Sequence, residues 1–292
     1  MSKSKGNVLD PLELTDEYGA DSLRFTLAAM AAQGRDIKMS TSRIEGFRNF
    51  TTKIWNACRF LQMNDCANAD SIDLSSVKAP VNKWIVSEYN TAIAKTSDAI
   101  DSYRFNEAAD ALYHFIWHCY CDWYVELIKP SLVSDDSAVA TEIKATAGTI
   151  LEGTLRMLHP FMPYLTEELN QKIFQNDDML IVANWPQATT DTDFDAVNDI
   201  QFLISLITEI RYIRSEMNVP LSAKPMLQVR GMNAAQVTVL KSQNAALMRL
   251  ARVSGVTVVD QFSKGTARGS VDGSDIGLTL SEILDLEAEA AR

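Results

Sequence analysis

The strongest constraint on the fold lies between Ser42 and Phe174, where apolar residues recur at helical spacing in one long stretch after another, interrupted only by polar loops and prolines. From Ser42 to about Met63, at 100° per residue, Ile44, Phe47, Phe50, Ile54, Ala57, Cys58 and Leu61 gather on one face. A second helix starts at Pro80 and Asn82 and carries Ile85, Tyr89, Ala92, Ile93, Thr96 and Ile100. A third, which Asn106 is placed to cap, carries Ala109, Leu112, Phe115, Ile116, Trp117, Trp123, Tyr124 and Leu127 and stops before Pro130. A fourth runs from about Ala138 to Leu158; Pro160 and Pro163 break it, and a short helix resumes from about Tyr164 to Phe174. Long helices with one apolar face, joined by short polar loops, predict an antiparallel helical bundle.

The flanks are different. Asp10-Pro11 opens a turn into two helical pieces, Leu12 to Tyr18 and Ala20 to Ala32, broken at Gly19 and ended by Gly34. The Asp-rich stretch from Thr189 to Asp199 has no periodic apolar residues and reads as a linker and helix start. Beyond it Ile200, Leu203, Ile204, Ile207, Ile210, Ile213 and Met217 make an amphipathic helix ending at Asn218 and Pro220. Then the pattern shortens. Met226 to Val229 and Val256 to Val259 read as strands around a helical Val237 to Arg252, and Ala267 to Val271 with Ile276 to Leu280 flank Asp272-Gly273-Ser274 as a hairpin. The expected fold is mostly α, an antiparallel helical bundle followed by a small α/β domain, in three parts: 1–42, 43–190 and 191–292.

A formal net charge of -11 argues against indiscriminate binding to nucleic acid, because the overall field repels phosphate. The charge is uneven, however. Arg35 to Arg59 holds six basic residues against two acidic, and Arg211 to Arg252 holds seven against Glu216 alone. On the helix from Ser42 the face opposite the apolar one collects Arg48, Asn49, Thr52, Lys53, Asn56 and Arg59, with Trp55 at the border. Such a face can hold phosphates and read base edges, and it is equally the composition of a plain solvated surface. Arg211 and Arg214, in the last turns of the later helix, form a second basic group.

No apolar run is long enough to span a bilayer, which makes the cytoplasm the default location. Cys58, Cys66, Cys119 and Cys121 lack the spacing of a disulfide framework or a zinc ribbon and are expected to be reduced thiols. His114, His118, Cys119 and Cys121 offer four metal-ligand types, yet on one helix the two cysteines point about 200° apart. No metal is expected there. His159, with no nucleophile or metal partner, reads as part of a hinge in the bundle.

The first seven residues, Met1-Ser2-Lys3-Ser4-Lys5-Gly6-Asn7, suit a mobile loop whose ammonium groups approach phosphate oxygens, and alone they fit a solvated tail as well. In order after them come Val8-Leu9-Asp10-Pro11, Tyr18-Gly19-Ala20-Asp21-Ser22-Leu23-Arg24 and Gln33-Gly34-Arg35-Asp36-Ile37. Together these resemble the class I aminoacyl-tRNA synthetases, in which a Lys-Met-Ser-Lys-Ser loop leads to Gly-Asn, an Asp-Pro turn and a Tyr-Gly-Ala-Asp helix start. Within that class, Gly34 to Lys38, Ile44 to Phe50 and Lys53-Ile54-Trp55-Asn56-Ala57 look like the valyl-tRNA synthetases. Leu158 to Leu169, the helix around Trp117 and Cys121 to Tyr124, and Arg211-x-x-Arg214-x-Glu216-Met217-Asn218-Val219-Pro220 match the same family. Where the family commonly has tryptophan, this chain has Asn170.

The resemblance implies a carboxy-terminal fragment that begins inside the catalytic loop. Lys3 would stabilise charge developing on the ATP phosphates, with Ser2 and Ser4 shaping the loop. Residues 1–42 would be a catalytic-loop remnant with stem-contact helices, 43–190 the anticodon-binding domain, and 191–292 a small domain ending at a truncated coiled-coil start from Asp285 to Arg292. No nucleotide-binding His-x-Gly-His signature is present, so the fragment alone is not expected to catalyse. Its parent would join valine to tRNA(Val) with ATP, its partner would be tRNA(Val), and it would be a monomer without a metal or organic cofactor. Arg48, Asn49, Lys53, Asn56 and Arg59, then Arg211 and Arg214, are the candidate RNA contacts. Two other readings are the equivalent piece of an isoleucyl-tRNA synthetase and a non-catalytic helical module that binds protein.

Overall fold

The computed structural model describes residues 10–32, 36–133, 137–175, 177–189 and 193–281. The chain divides into two compact units, Met1–Val125 with Ser131–Thr192, and Glu126–Pro130 with Asp193–Arg292.

The first unit is helical. α1 (Pro11–Tyr18) starts where Asp10 Oδ1 accepts from the Leu12 N–H at 2.8 Å, with proline in the first turn, where its missing N–H costs nothing. Gly19, at φ 86°, separates it from α2 (Ala20–Met30), a conformation that favours glycine. α3 (Thr41–Met63), α4 (Pro80–Asp101) and α5 (Phe105–Tyr113) follow. The next eleven residues, His114–Tyr124, are wound as a π-helix, and α6 (Val125–Leu132) continues it, with Glu126–Pro130 counting to the second unit; α7 (Ser137–Leu158) and α8 (Pro163–Ile173) close the first.

Two boundaries differ from the sequence reading. Asn106 does not cap α5; the helix begins at Phe105, and the cap position, Arg104, makes no side-chain capping hydrogen bond. The reason is the tightness of the reversal after α4, in which Tyr103 takes φ 57° and the Arg104 N–H donates to Ala99 O at 2.7 Å, so the chain re-enters helix before Asn106. Nor does the helix stop before Pro130, which lies inside α6. Proline has no N–H for the carbonyl four residues back, and Arg249 supplies the donor instead: its Nη1 donates to Glu126 O at 3.0 Å while Nη2 pairs with the Glu126 carboxylate at 2.8 Å.

Buried polar bonds fix how the bundle helices meet. α4 has no capping side chain of its own, and Glu142 of α7 serves instead, its Oε1 accepting from Lys78 N, Ala79 N and Asn82 Nδ2 at 3.0, 2.8 and 2.9 Å. Tyr124 Oη donates to Asn82 Oδ1, and Tyr120 Oη to Ala147 O, both at 2.8 Å. α7 approaches α4 so closely at Gly153 that a Cβ there would lie 1.8 Å from Tyr89 Oη. Asp21, in the Tyr-Gly-Ala-Asp phrase, reaches across the sequence to the start of α8, where its Oδ2 accepts from Leu165 N at 2.6 Å; Arg24 Nη2 donates to Pro160 O at 3.0 Å. His159 is held in this corner, its Nδ1 2.8 Å from Thr166 Oγ1. Asn170 is fully buried and donates to Asp178 O at 2.9 Å, a bond that an indole at this position could not make in the same way.

The second unit is α/β. α9 (Phe194–Glu216) is capped by Asp193, whose carboxylate accepts from Ala196 N at 3.0 Å. β1 (Met226–Arg230), α10 (Ala234–Ser242), α11 (Asn244–Ala251), β2 (Gly255–Val258), β3 (Thr266–Val271) and β4 (Ser274–Thr279) follow. The sheet order is β2-β1-β4-β3, with β1 parallel to β2 across the helical crossover and antiparallel to β4. The expected hairpin forms with Val271 opposite Ser274; Asp272 and Gly273 both take positive φ, as a two-residue turn of the primed kind requires. The single helix expected over Val237 to Arg252 is two, because α10 ends at Gln243 and α11 restarts with the Leu247 N–H donating to Gln243 O at 2.9 Å. α9 packs on β3, where Gly269 admits Glu209 and Ile213 to contact that a side chain would obstruct.

Candidate nucleic-acid interface

α3 sorts its side chains as the periodicity requires. Ile44, Phe50, Ile54, Ala57, Cys58 and Leu61 are buried, and Phe47 is half-buried with its ring 4.9 Å from Phe25. On the opposite face Arg48, Asn49, Thr52, Asn56 and Arg59 are exposed. Thr52 Oγ1 bonds back to Arg48 O at 3.2 Å, while the side chains of Arg48, Asn49, Asn56 and Arg59 have no hydrogen-bond or ion-pair partner among the described residues. At 1.5 Å per residue, Arg48 and Arg59 stand about 16 Å apart along the axis, and these four side chains present donors without a carboxylate among them.

Lys53 belongs to the same helix and to a different environment. It is half-buried, paired with Asp122, with its Nζ 3.8 Å from the centroid of Trp117. Trp117 in turn stacks on Tyr113 at 5.5 Å and 18°, and Asp122 also faces His118 Nδ1 at 3.4 Å. By sequence this segment is only a family match without a metal site, which misses that Tyr113, Trp117, His118 and Asp122 form the edge of this face. Spacings of four in Tyr113–Trp117 and His118–Asp122 were the available signal; that Lys53 lies against them was not.

The second basic group has another task. Arg214 is 7% exposed, and its guanidinium donates to Arg252 O, Pro220 O and Ala223 O, each at 3.0 Å. Burial first, and the neighbouring Arg252 charge second, hold its pKa below the usual arginine range. It fastens the turn after α9, where Asn218 takes φ 47° and Val219 N donates to Arg214 O at 2.9 Å. Three carbonyls already accept from the Arg214 guanidinium, so this side chain clamps the turn and offers fewer donors for the RNA contact expected of it. Arg211 is exposed, with its Nε donating to Leu250 O at 3.1 Å.

Ser2, Lys3 and Ser4, proposed for ATP, lie outside the described residues, as do Gly34, Arg35 and the stretch from Asp285 to Arg292. His114 and His118 are exposed, Cys119 is buried and Cys121 half-buried, and among the described residues no three His, Cys, Asp or Glu side chains are placed to hold a metal ion. All four cysteines are free thiols; burial pushes Cys119 and Cys121 up to about 12 and Cys66 to about 11. No helix among the described residues is long and apolar enough to cross a membrane.

The family described as the anticodon-binding domain of tRNA ligase matches residues 82–230, half of the chain. The chain belongs to this anticodon-binding family. In this anticodon-binding chain the matched span opens at Asn82, the residue through which Tyr124 and Glu142 tie α4 to the rest of the bundle, and ends at Arg230. Residues 1–40 match a second family, tRNA synthetases class I (I, L, M and V). Valine–tRNA ligase of Mesorhizobium japonicum is 47% identical over the whole chain and 32% of its own length, and that of Caulobacter vibrioides is 46% identical over the whole chain and 33% of its own. The chain thus spans about a third of the curated relatives it matches. A LeuRS-tRNA-LeuAMS ternary complex from Agrobacterium radiobacter shares the fold at a TM-score of 0.50 and 16% identity, covering 88% of this chain and 31% of that one.

Proposed function

We propose that this chain is the tRNA-reading portion of a valine–tRNA ligase and that the outer face of α3 receives the anticodon arm of tRNA(Val). The observation that carries this reading is that Arg48, Asn49, Asn56 and Arg59 stand exposed and without side-chain partners among the described residues, on a chain that aligns end to end with valine–tRNA ligases. Arginines supply phosphate contacts and asparagines supply paired donors and acceptors for base edges, which is the division of labour that RNA recognition uses. Lys53 borders the site, its charge shared with Asp122. In the full-length ligase, acting as a cytoplasmic monomer, valine would be joined to tRNA(Val) with ATP, and Lys3, flanked by Ser2 and Ser4, would approach the ATP phosphates; no metal or organic cofactor has a place in this portion.

The test is binding of the chain to tRNA(Val), to tRNA(Val) with a changed anticodon and to tRNA(Ile), each at two salt concentrations. Salt-sensitive binding that weakens with the anticodon change and with the isoleucine acceptor is the expected result. Equal affinity for all three RNAs would overturn anticodon reading by this portion.

A further inference from the structure

Away from α3, a cleft of about 430 Å³ opens in the first unit between α2, the corner joining α7 to α8, and the segment around Ile181. That volume falls in the roughly 300–1,000 Å³ range of small-ligand sites. Its lining divides into two kinds of wall. Arg24, Arg156 and His159 supply cationic or hydrogen-bonding groups, and Pro160, Ile181 and Trp185 supply an apolar wall. We propose that this cleft binds one nucleotide unit, with the phosphate on Arg156 and Arg24 and the base against Trp185 and Ile181.

Each part is held for the purpose. The indole of Trp185 is fixed by its Nε1 donating to Ser97 Oγ at 3.0 Å, so the ring is oriented while remaining half-exposed. A ring anchored by its edge can offer a face to a base at little entropic cost. Ile181 is 74% exposed, an apolar side chain left at the mouth of a charged cleft. Arg24 spends one Nη2 bond on Pro160 O and Arg156 one on Glu152 Oε1 at 2.5 Å; Arg156 Nε is buried and makes no hydrogen bond. The Arg156 side chain as a whole is 31% exposed, and its planar fork suits a phosphate. Of the carboxylates nearby, Glu152 is paired with Arg156 and Asp21 with the N–H groups of α8, while Glu167 accepts from Leu180 N through Oε2 and has no partner at its buried Oε1. His159 gives its Nδ1 side to Thr166, which leaves Nε2 for a ligand.

A nucleotide unit can come from an RNA strand or from a free mononucleotide, and calorimetric titration with adenosine 5′-monophosphate and with inorganic phosphate reads the shared chemistry directly. The monophosphate is expected to bind, with phosphate alone weaker. Arg156→Gln should weaken the nucleotide by about tenfold, the scale of one charge-assisted phosphate contact. Ile181→Asp should weaken it as well, and this exposed position serves where Arg156→Gln disturbs the helix. In the second arm, loss of tRNA affinity in both variants assigns the unit to RNA, whereas unchanged tRNA affinity with nucleotide binding retained assigns it to a free nucleotide. No heat with either small ligand together with unchanged tRNA affinity, or equal nucleotide binding in all three proteins, overturns the proposal. The small-ligand arm stands independently of the anticodon reading, since failure of the α3 face leaves it untouched.

Discussion

The outer face of α3 and the end of α9 look alike as strings of letters and behave oppositely as surfaces. Each places arginines along a helix of 23 residues. On α3 the arginines project from mid-helix, where the backbone carbonyls are already paired within the helix and have no need of them. At the end of α9 the helix stops, the chain turns through a residue with positive φ, and the part-buried carbonyls of Pro220, Ala223 and Arg252 lie outside any helical ladder. Arg214 is buried to satisfy them. An arginine near a helix terminus beside an irregular turn is thus exposed to a structural demand that a mid-helix arginine escapes.

The comparison can be broken by three variants. Arg214→Met keeps the bulk and removes three charged hydrogen bonds to part-buried carbonyls; the chain should lose about 2–3 kcal/mol in urea unfolding, and little tRNA affinity where it remains folded. A loss below about 1 kcal/mol would return Arg214 to the list of contacts. Arg48→Glu combined with Arg59→Glu should do the reverse, lowering tRNA(Val) affinity by about tenfold or more and reducing the salt slope, while unfolding shifts by no more than about 0.5 kcal/mol. Unaltered affinity in a filter assay would make α3 a merely solvated face. Lys53→Met, between the two regimes, should cost about 1 kcal/mol in stability through loss of the Asp122 pair and the Trp117 contact, with a smaller effect on tRNA. A large affinity loss without destabilisation would move Lys53 into the reading face.

Much of the bundle was legible because helical periodicity is a local signal. The apolar residues of α3 and the exposed ribbon opposite them follow from 100° per residue, and the Asp272-Gly273 hairpin follows from turn chemistry. The end of α4 was harder: the reversal at Tyr103 moves the cap position of α5 from Asn106 to Arg104, a shift of two residues that capping preference alone does not resolve. Pro130 was read as a stop, since nothing in its own neighbourhood announces that Arg249 fills the carbonyl it leaves free. In the candidate site the exposed donors were legible, while the fate of Lys53 depended on Asp122, 69 residues away.

The sequence by itself determined which residues could form helices, which face of each was apolar, where the strands and the hairpin fall, and the family to which the chain belongs. Only the tertiary structure decided which polar groups remain available. Asp21 is spent on α8, Glu142 on the start of α4 and Arg214 on a turn, whereas Arg48 and Arg59 keep their donors. The physical reason is that backbone period is fixed by near neighbours, but a side chain's hydrogen-bond partner is whatever the fold brings beside it, and a buried unpaired carbonyl or N–H takes a donor or acceptor from any distance along the chain.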